Sequence, residues 1–248
     1  MIALKSKREI GMIRASAEIL KIVHSKLEKL IKPGITTAEL DKTAYEVITG
    51  KGGKPSFLGY RGYPASICAS VNNEVVHGIP SKSRVLEEGD IISLDCGVFY
   101  NGFHADSTRT WPVGQVSIEA RELMKVTQQA VKKALDEAVK PGAKLGDLSH
   151  AIQVYAESNG YSPVKDYVGH GIGRDLHEEP AVPNYGTPKR GVTLEPGLVI
   201  AIEPMFNAGG PEVRVLDNAW TVVTEDGELS SHYEETVAIT EKGYEILT

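Results

Sequence analysis

The sequence predicts an α+β fold made of two similar halves, each running helix, helix, strands. The strands should form a curved, mainly antiparallel sheet backed by the helices. Two observations carry the repeat: LEKLIKPG (27–34) returns as LDEAVKPG (135–142), and VLEEGDIISLD (85–95) returns as TLEPGLVIAIE (193–203), both 108 residues on. Separate blocks that share one offset are the mark of an internal repeat. The repeats run roughly over 10–110 and 118–240, inside one domain spanning 1–248. A third observation adds local detail. Asn101-Gly102, following the β-prone run Ile91-Ile92-Ser93-Leu94, signals a two-residue hairpin, because a type I′ turn needs positive φ at both central positions.

Each element can be justified in turn. An amphipathic helix ends at Lys-Pro-Gly in both halves, a stop signal, and a second helix follows. Thr36 with Glu39 makes a capping box for the first copy of that second helix. With Asn101-Gly102 as the loop, Tyr100 faces Phe103, Val98 faces Ala105, Gly97 faces Asp106 and Asp95 faces Thr108. Asp95 and Asp106 are then diagonal neighbours on one face, roughly 7 to 8 Å apart, with Gly97 leaving a gap between them. Two unpaired carboxylates this close repel, so one holds a proton or cations sit between them. The repeat makes Asp95 and Glu203 equivalent, and a pseudo-twofold axis brings the carboxylates of Asp95, Asp106 and Glu203 towards one centre.

The second half contains VGHGIGRDLHEEPAVPNYG (168–186). GHGIGR fails as a dinucleotide loop, since Arg174 stands where G-x-G-x-x-G needs glycine. HEEPA fails as a zinc-protease helix, because Ala181 replaces the second histidine and Pro180 opposes a helix interior. What remains is His170 and His177 in a glycine-bounded loop, with His77 in the similar first-half phrase HGIP. Near the C-terminus, WTVVTEDGELSSHYEETVAIT reads as a hairpin turning at Glu225-Asp226-Gly227. Its return strand carries Glu234 and Glu235 on opposite faces, and periodicity does not choose between them.

Composition bounds the class. With 248 residues, 41% hydrophobic and 24% charged, the chain has the make-up of a globular protein with a large core. A net charge of -6 and the lack of a basic run speak against nucleic acid as main ligand. Cys68 and Cys96 are at neither zinc nor redox spacing, which points to free thiols in a reducing compartment. The first residues lack the apolar core of a signal peptide, and no apolar run reaches the 18 residues of a membrane span, so a cytoplasmic, soluble protein is expected.

LGYRGYPASIC, NNEVVHGIP, the aspartate pair, GHGIGR, HEEP, AIEPM and YEET together resemble the type I methionine aminopeptidases, which have the so-called pita-bread fold. The resemblance covers essentially the whole chain and implies a single catalytic domain. It implies a dinuclear metal site at Asp95, Asp106, His170, Glu203 and Glu234, with Asp106 and Glu234 bridging, Asp95 on one ion, and His170 with Glu203 on the other. It is the resemblance that selects Glu234 over Glu235, whose replacement should be mild. Two divalent ions of the Mn, Fe(II), Co or Zn kind would lower the pKa of a shared water. The resemblance further makes His77 and His177 substrate-contacting catalytic histidines, Glu203 a proton shuttle, and Tyr60, Tyr63, Cys68 and Trp220 the lining of a methionine pocket. Phe57 and Leu176 depart from the best-known bacterial pattern, which has cysteine and phenylalanine there, and put the pocket's shape in question. His24, His104 and His150 are read as structural. The implied partners are N-termini of nascent polypeptides with a small second residue, with the ribosome a candidate meeting place, and the implied state is a monomer. Prolidases and proline aminopeptidases share the fold but normally carry a further N-terminal domain. A non-catalytic relative would have lost ligands, whereas all five positions are filled here.

Overall fold

The computed structural model describes residues 2–140 and 142–248. Four helices carry the frame: α1 (Lys7–Glu28), α2 (Thr37–Gly50), α3 (Ile118–Ala138) and α4 (Leu145–Ser158). α1 starts at a Ser6–Glu9 capping box and buries Ile13, Ala17, Leu20, Val23, His24 and Leu27, a stripe at three- and four-residue spacing. α2 starts at the expected Thr36–Glu39 box. Helices α2 and α4 begin and end 108 residues apart (145 − 37 and 158 − 50). Two isolated bridges, Thr36 to Val85 and Lys144 to Thr193, repeat at the same offset. The internal repeat is thus present in the backbone.

The helix stops differ from the sequence reading. α1 ends at Glu28, short of Lys32-Pro33-Gly34. Gly34, at φ +91°, instead turns the chain so that its N–H reaches the Leu86 carbonyl at 2.8 Å. Pro141, the centre of the second Lys-Pro-Gly, lies outside the described residues.

Every described strand pairing is antiparallel. In the first half, Ile91–Tyr100 is flanked by Ile67–Val71 and Phe103–Pro112. In the second, Val199–Ile202 lies between Gly169–Gly171 and Glu235–Thr240. Two large apolar clusters form the core, the first shared with Ile172, Val199 and Ala238 of the second half. One joins α1 and α2 to Ile67, Leu94 and Val98, and the other joins α3 and α4 to Ile200, Ile202 and Val237. Among the described residues no helix is long and apolar enough to cross a membrane.

The halves are stitched at several places. Thr236 Oγ1 donates to the Asp106 carbonyl at 2.8 Å and accepts from the Asp106 N–H at 3.0 Å. The Glu234 N–H donates to the Thr108 carbonyl, and the His104 N–H to that of Gly173. Buried Lys5 reaches Glu178 at 2.6 Å, fastening the N-terminal segment to the second half.

Two expectations need correction. The segments on either side of Glu225-Asp226-Gly227 turn there but do not pair: Val222–Thr224 joins Val213–Val215 and Glu74–Val76, while Ser230–His232 joins Met205–Asn207. Gly97 leaves no gap between the carboxylates either. A Cβ there would stand 2.7 Å from Ser56 Cβ and 2.9 Å from Phe57, so that segment occupies the space.

Candidate metal centre

The hairpin register is the one expected, with Gly97 opposite Asp106 and Asp95 opposite Thr108. Asn101 and Gly102 take φ +51° and +85°, so the tight turn fixes that register and with it the shared face of the two aspartates. From the second half, His170 enters on Gly169–Gly171, paired to Ala201, and Glu203 follows the end of Val199–Ile202. Glu234 sits immediately before Glu235–Thr240, its Oε2 accepting from Thr108 Oγ1 at 2.9 Å. Glu235 points elsewhere, to Arg109 at 2.9 Å.

Ligand atoms of Asp106, His170 and Glu234 lie within 4.8 Å of one another, all three buried. Glu203 Oε1 stands 3.6 Å from His170 Nε2. Asp95, Asp106, His170, Glu203 and Glu234 all border one cleft. Burial pushes Asp95 up from the usual 3.8 to about 7. Burial, then the mutual repulsion of the group, holds Asp106, Glu203 and Glu234 well above the ordinary carboxylate range. Four carboxylates packed this way cannot all be charged unless cations join them.

The residues fit divalent cations. Asp95 Oδ1, Asp106 Oδ1 and Glu234 Oε1 are buried with no hydrogen-bond partner among the described residues. His170 Nδ1 donates to the Gly171 carbonyl at 2.9 Å, which leaves the Nε2 lone pair facing the cleft. Burial holds this imidazole down at about 4, so it stays neutral and able to ligate.

The same cleft has an aromatic wall. Tyr60, Tyr63, Cys68 and Trp220 border it with His77 and His177, as does Phe57. Tyr63 and Trp220 meet edge to face at 5.0 Å, and the Tyr63 hydroxyl donates to the carbonyls of Ile67 and Gly78. The Tyr60 hydroxyl is 2.8 Å from His177 Nδ1. Burial lowers the His77 pKa, and partial burial followed by His170 and Arg61 lowers that of His177. Leu176 is buried in the first-half core and does not border the cleft, so of the two departures only Phe57 shapes it. His24, His104 and His150 contact Ser107, Ser56 and Gly186 respectively and stand outside the cleft lining. Cys68 and Cys96 are free, buried thiols.

Three residues escaped the sequence reading. Arg61 borders the cleft from a positive-φ position between Gly59 and Gly62, inside the phrase LGYRGYPASIC but with no role assigned to it there. Arg109 bonds the Thr108 and Glu234 carbonyls and the Glu235 carboxylate. The register Asp95–Thr108 placed it one residue from the acidic face, which was its only signal. His232 lies against Glu203 Oε2 at 3.6 Å. It sits two residues before Glu234, and the false hairpin hid its neighbour.

A twofold frame with one oxygen-rich, imidazole-bearing centre between its halves defines a metallopeptidase of the pita-bread kind. The chain belongs to metallopeptidase family M24, whose model matches residues 11–241. Within that family its close relatives are methionine aminopeptidases. It is 52% identical to methionine aminopeptidase 1 of Bacillus subtilis, over 100% of this chain and 99% of that protein. The crystal structure of the methionine aminopeptidase from Thermotoga maritima superposes with a TM-score of 0.98 at 44% identity, covering 100% of this chain and 99% of that one. Prolidase from Pyrococcus furiosus shares the fold at TM-score 0.79 and 27% identity, covering 99% of this chain but 65% of that one.

Proposed function

We propose that this chain is a single catalytic domain that removes the N-terminal methionine from polypeptides whose second residue is small, with two divalent ions held by Asp95, Asp106, His170, Glu203 and Glu234. The observation that carries this is one cleft bordered by both those five side chains and the aromatic pocket. Bound divalent ions supply Lewis acidity and a water of lowered pKa. A set of four carboxylates and one imidazole suits Mn, Fe(II), Co or Zn.

The chain's own groups do the rest. Asp106 and Glu234, with ligand atoms within 4.8 Å of one of His170, would hold the ions together with Glu203, and Asp95 would contribute from the hairpin side. A methionine side chain lies against Tyr63, Cys68, Trp220 and Phe57, where rings and a thiol suit a polarizable thioether. When the Tyr60 hydroxyl donates to His177 Nδ1, the proton of that imidazole is on Nε2, free to donate to a substrate carbonyl. His77, held at φ +60° against Tyr167 and Trp220, faces the scissile amide and crowds a large second side chain. Glu203, kept protonatable by burial and its acidic neighbours, passes a proton to the leaving amine. We further propose a cytoplasmic monomer that meets nascent N-termini near the ribosome.

The test is cleavage of Met-Ala-Ser, Met-Leu-Ser, Leu-Ala-Ser and Ala-Pro-Ser by chelated protein with and without added Mn, Co or Fe(II). Metal-dependent release with at least about tenfold preference for Met-Ala-Ser is expected, since one pocket mismatch is worth roughly 1–3 kcal/mol. Preference for Ala-Pro-Ser would make this a proline-directed peptidase, and full activity after verified metal removal would sink the mechanism.

A further inference from the structure

His232 is 2% exposed, and its Nε2 has no hydrogen-bond partner among the described residues. That nitrogen lies 3.6 Å from Glu203 Oε2, while Glu203 Oε1 lies 3.6 Å from His170 Nε2. Glu203 therefore stands between two imidazoles, one oxygen towards each. We propose that His232 is a positioning residue for Glu203: its Nε2–H donates to Oε2 and thereby turns Oε1 towards His170 and the bound cation.

The His232 backbone is fixed independently of its ring. Met205, two residues past Glu203, pairs with His232 across the Ser230–His232 and Met205–Asn207 strands. Thr110 Oγ1 donates to the His232 carbonyl at 2.7 Å and accepts from its N–H at 3.2 Å. Thr110 is in turn 2.7 Å from Ser93 Oγ on the neighbouring strand. The imidazole is thus delivered from a rigid support, and the movable partner is the longer Glu203 side chain. A gap of 3.6 Å exceeds a hydrogen bond to a carboxylate by less than about 1 Å. A small rotation of Glu203 closes it and satisfies a buried ring nitrogen that otherwise has no partner among the described residues. Hydrogen-bonded support of this kind typically sets metal affinity or activity by about 10–100-fold.

The inference rests on the reading of Glu203 as a metal-holding residue, and both are testable together. Chelated wild type, His232→Gln, His232→Leu and Glu203→Gln are titrated calorimetrically with Mn(II), and kcat and KM are measured on Met-Ala-Ser. A glutamine amide donates as imidazole does but is a poor metal ligand. His232→Gln should stay within about threefold of wild type in Mn affinity and kcat, and His232→Leu should lose about 10–100-fold in affinity or kcat with KM little changed. Leu equal to wild type overturns the proposal, and so does Gln as impaired as Leu, which would make His232 a ligand. If Leu does not fold, Gln decides alone: Mn affinity more than about tenfold below wild type refutes positioning. Glu203→Gln that binds Mn as wild type does would instead refute the site reading. Loss of Mn in that variant with unaltered His232→Leu sinks only the present inference.

Discussion

Replacing Glu235 by glutamine should destabilise the protein without emptying the metal centre. The sequence expectation was a mild effect on metal and activity, and the structure adds an effect on stability. Glu235 is 6% exposed and its carboxylate takes three bonds: Arg109 Nη2 at 2.9 Å, the Tyr233 hydroxyl at 2.8 Å and Thr248 Oγ1 at 2.6 Å. An amide keeps one acceptor oxygen and sets an NH₂ against either the guanidinium or a hydroxyl. The loss is one charge-assisted bond, about 1.5–3 kcal/mol. Full rupture of a buried pair would cost roughly 3–5 kcal/mol, but the Arg109 side chain is 19% exposed and keeps its carbonyl bonds to Thr108 and Glu234. We therefore expect about 2 kcal/mol, which for a chain of this size lowers Tm by roughly 4–8 °C. Thermal unfolding of the metal-loaded protein, paired with a metal count, checks both parts. A missing metal equivalent at unchanged Tm would show that Glu235, not Glu234, faces the centre.

His77→Ala and His177→Ala should each lower kcat/KM by roughly 100-fold while metal content stays intact, and Tyr60→Phe should cost about fivefold through the lost bond to His177; metal loss in either histidine variant refutes a substrate role. Thr236→Val removes both seam bonds to Asp106 and should cost about 2 kcal/mol or more, read by urea unfolding; a neutral result would mean the seam is not stitched there. The metal-free protein should lose stability as pH rises from about 7 to about 9, a window above that in which the buried histidines, whose folded-state pKa values are lowered, act in the opposite sense. Asp95, Asp106, Glu203 and Glu234 have folded-state pKa values above their unfolded ones, so the folded chain holds protons that the unfolded chain has lost. That contribution is complete below the unfolded values and is lost as pH rises through about 7 for Asp95. Melts with chelator and with Mn should diverge towards high pH, and parallel curves would contradict the burial of these groups.

What could be read from the chain alone was whatever is fixed locally. Asn101-Gly102 determines a register, and the register determines which face Asp95 and Asp106 share. The 108-residue offset survives because α2 and α4 start at equivalent positions, each with an acidic third residue, Glu39 or Asp147, accepting from the cap N–H, and the isolated bridges fall at equivalent places. Contacts between distant segments left no such trace. Nothing near Gly97 announces that Ser56 and Phe57 fill its place. Nothing in TEDGEL says that the strands on either side join different sheets, and His232 was overlooked for that reason. The choice between Glu234 and Glu235 depended on Arg109 claiming the latter, an interaction across 126 residues.

The seam between the halves has a consequence for damaged or incomplete chains. Asp95 and Asp106 come from one half, His170, Glu203 and Glu234 from the other, and the apolar cluster on α1 and α2 also takes in Ile172, Val199 and Ala238 from the second half. Neither half alone would supply all five of the donors proposed for the ions. Cation affinity then behaves as a coincidence detector, responding only when both halves are folded and docked. A chain nicked in the 113–117 connection would fall silent on separation and regain metal on reassociation, with no partly active state between.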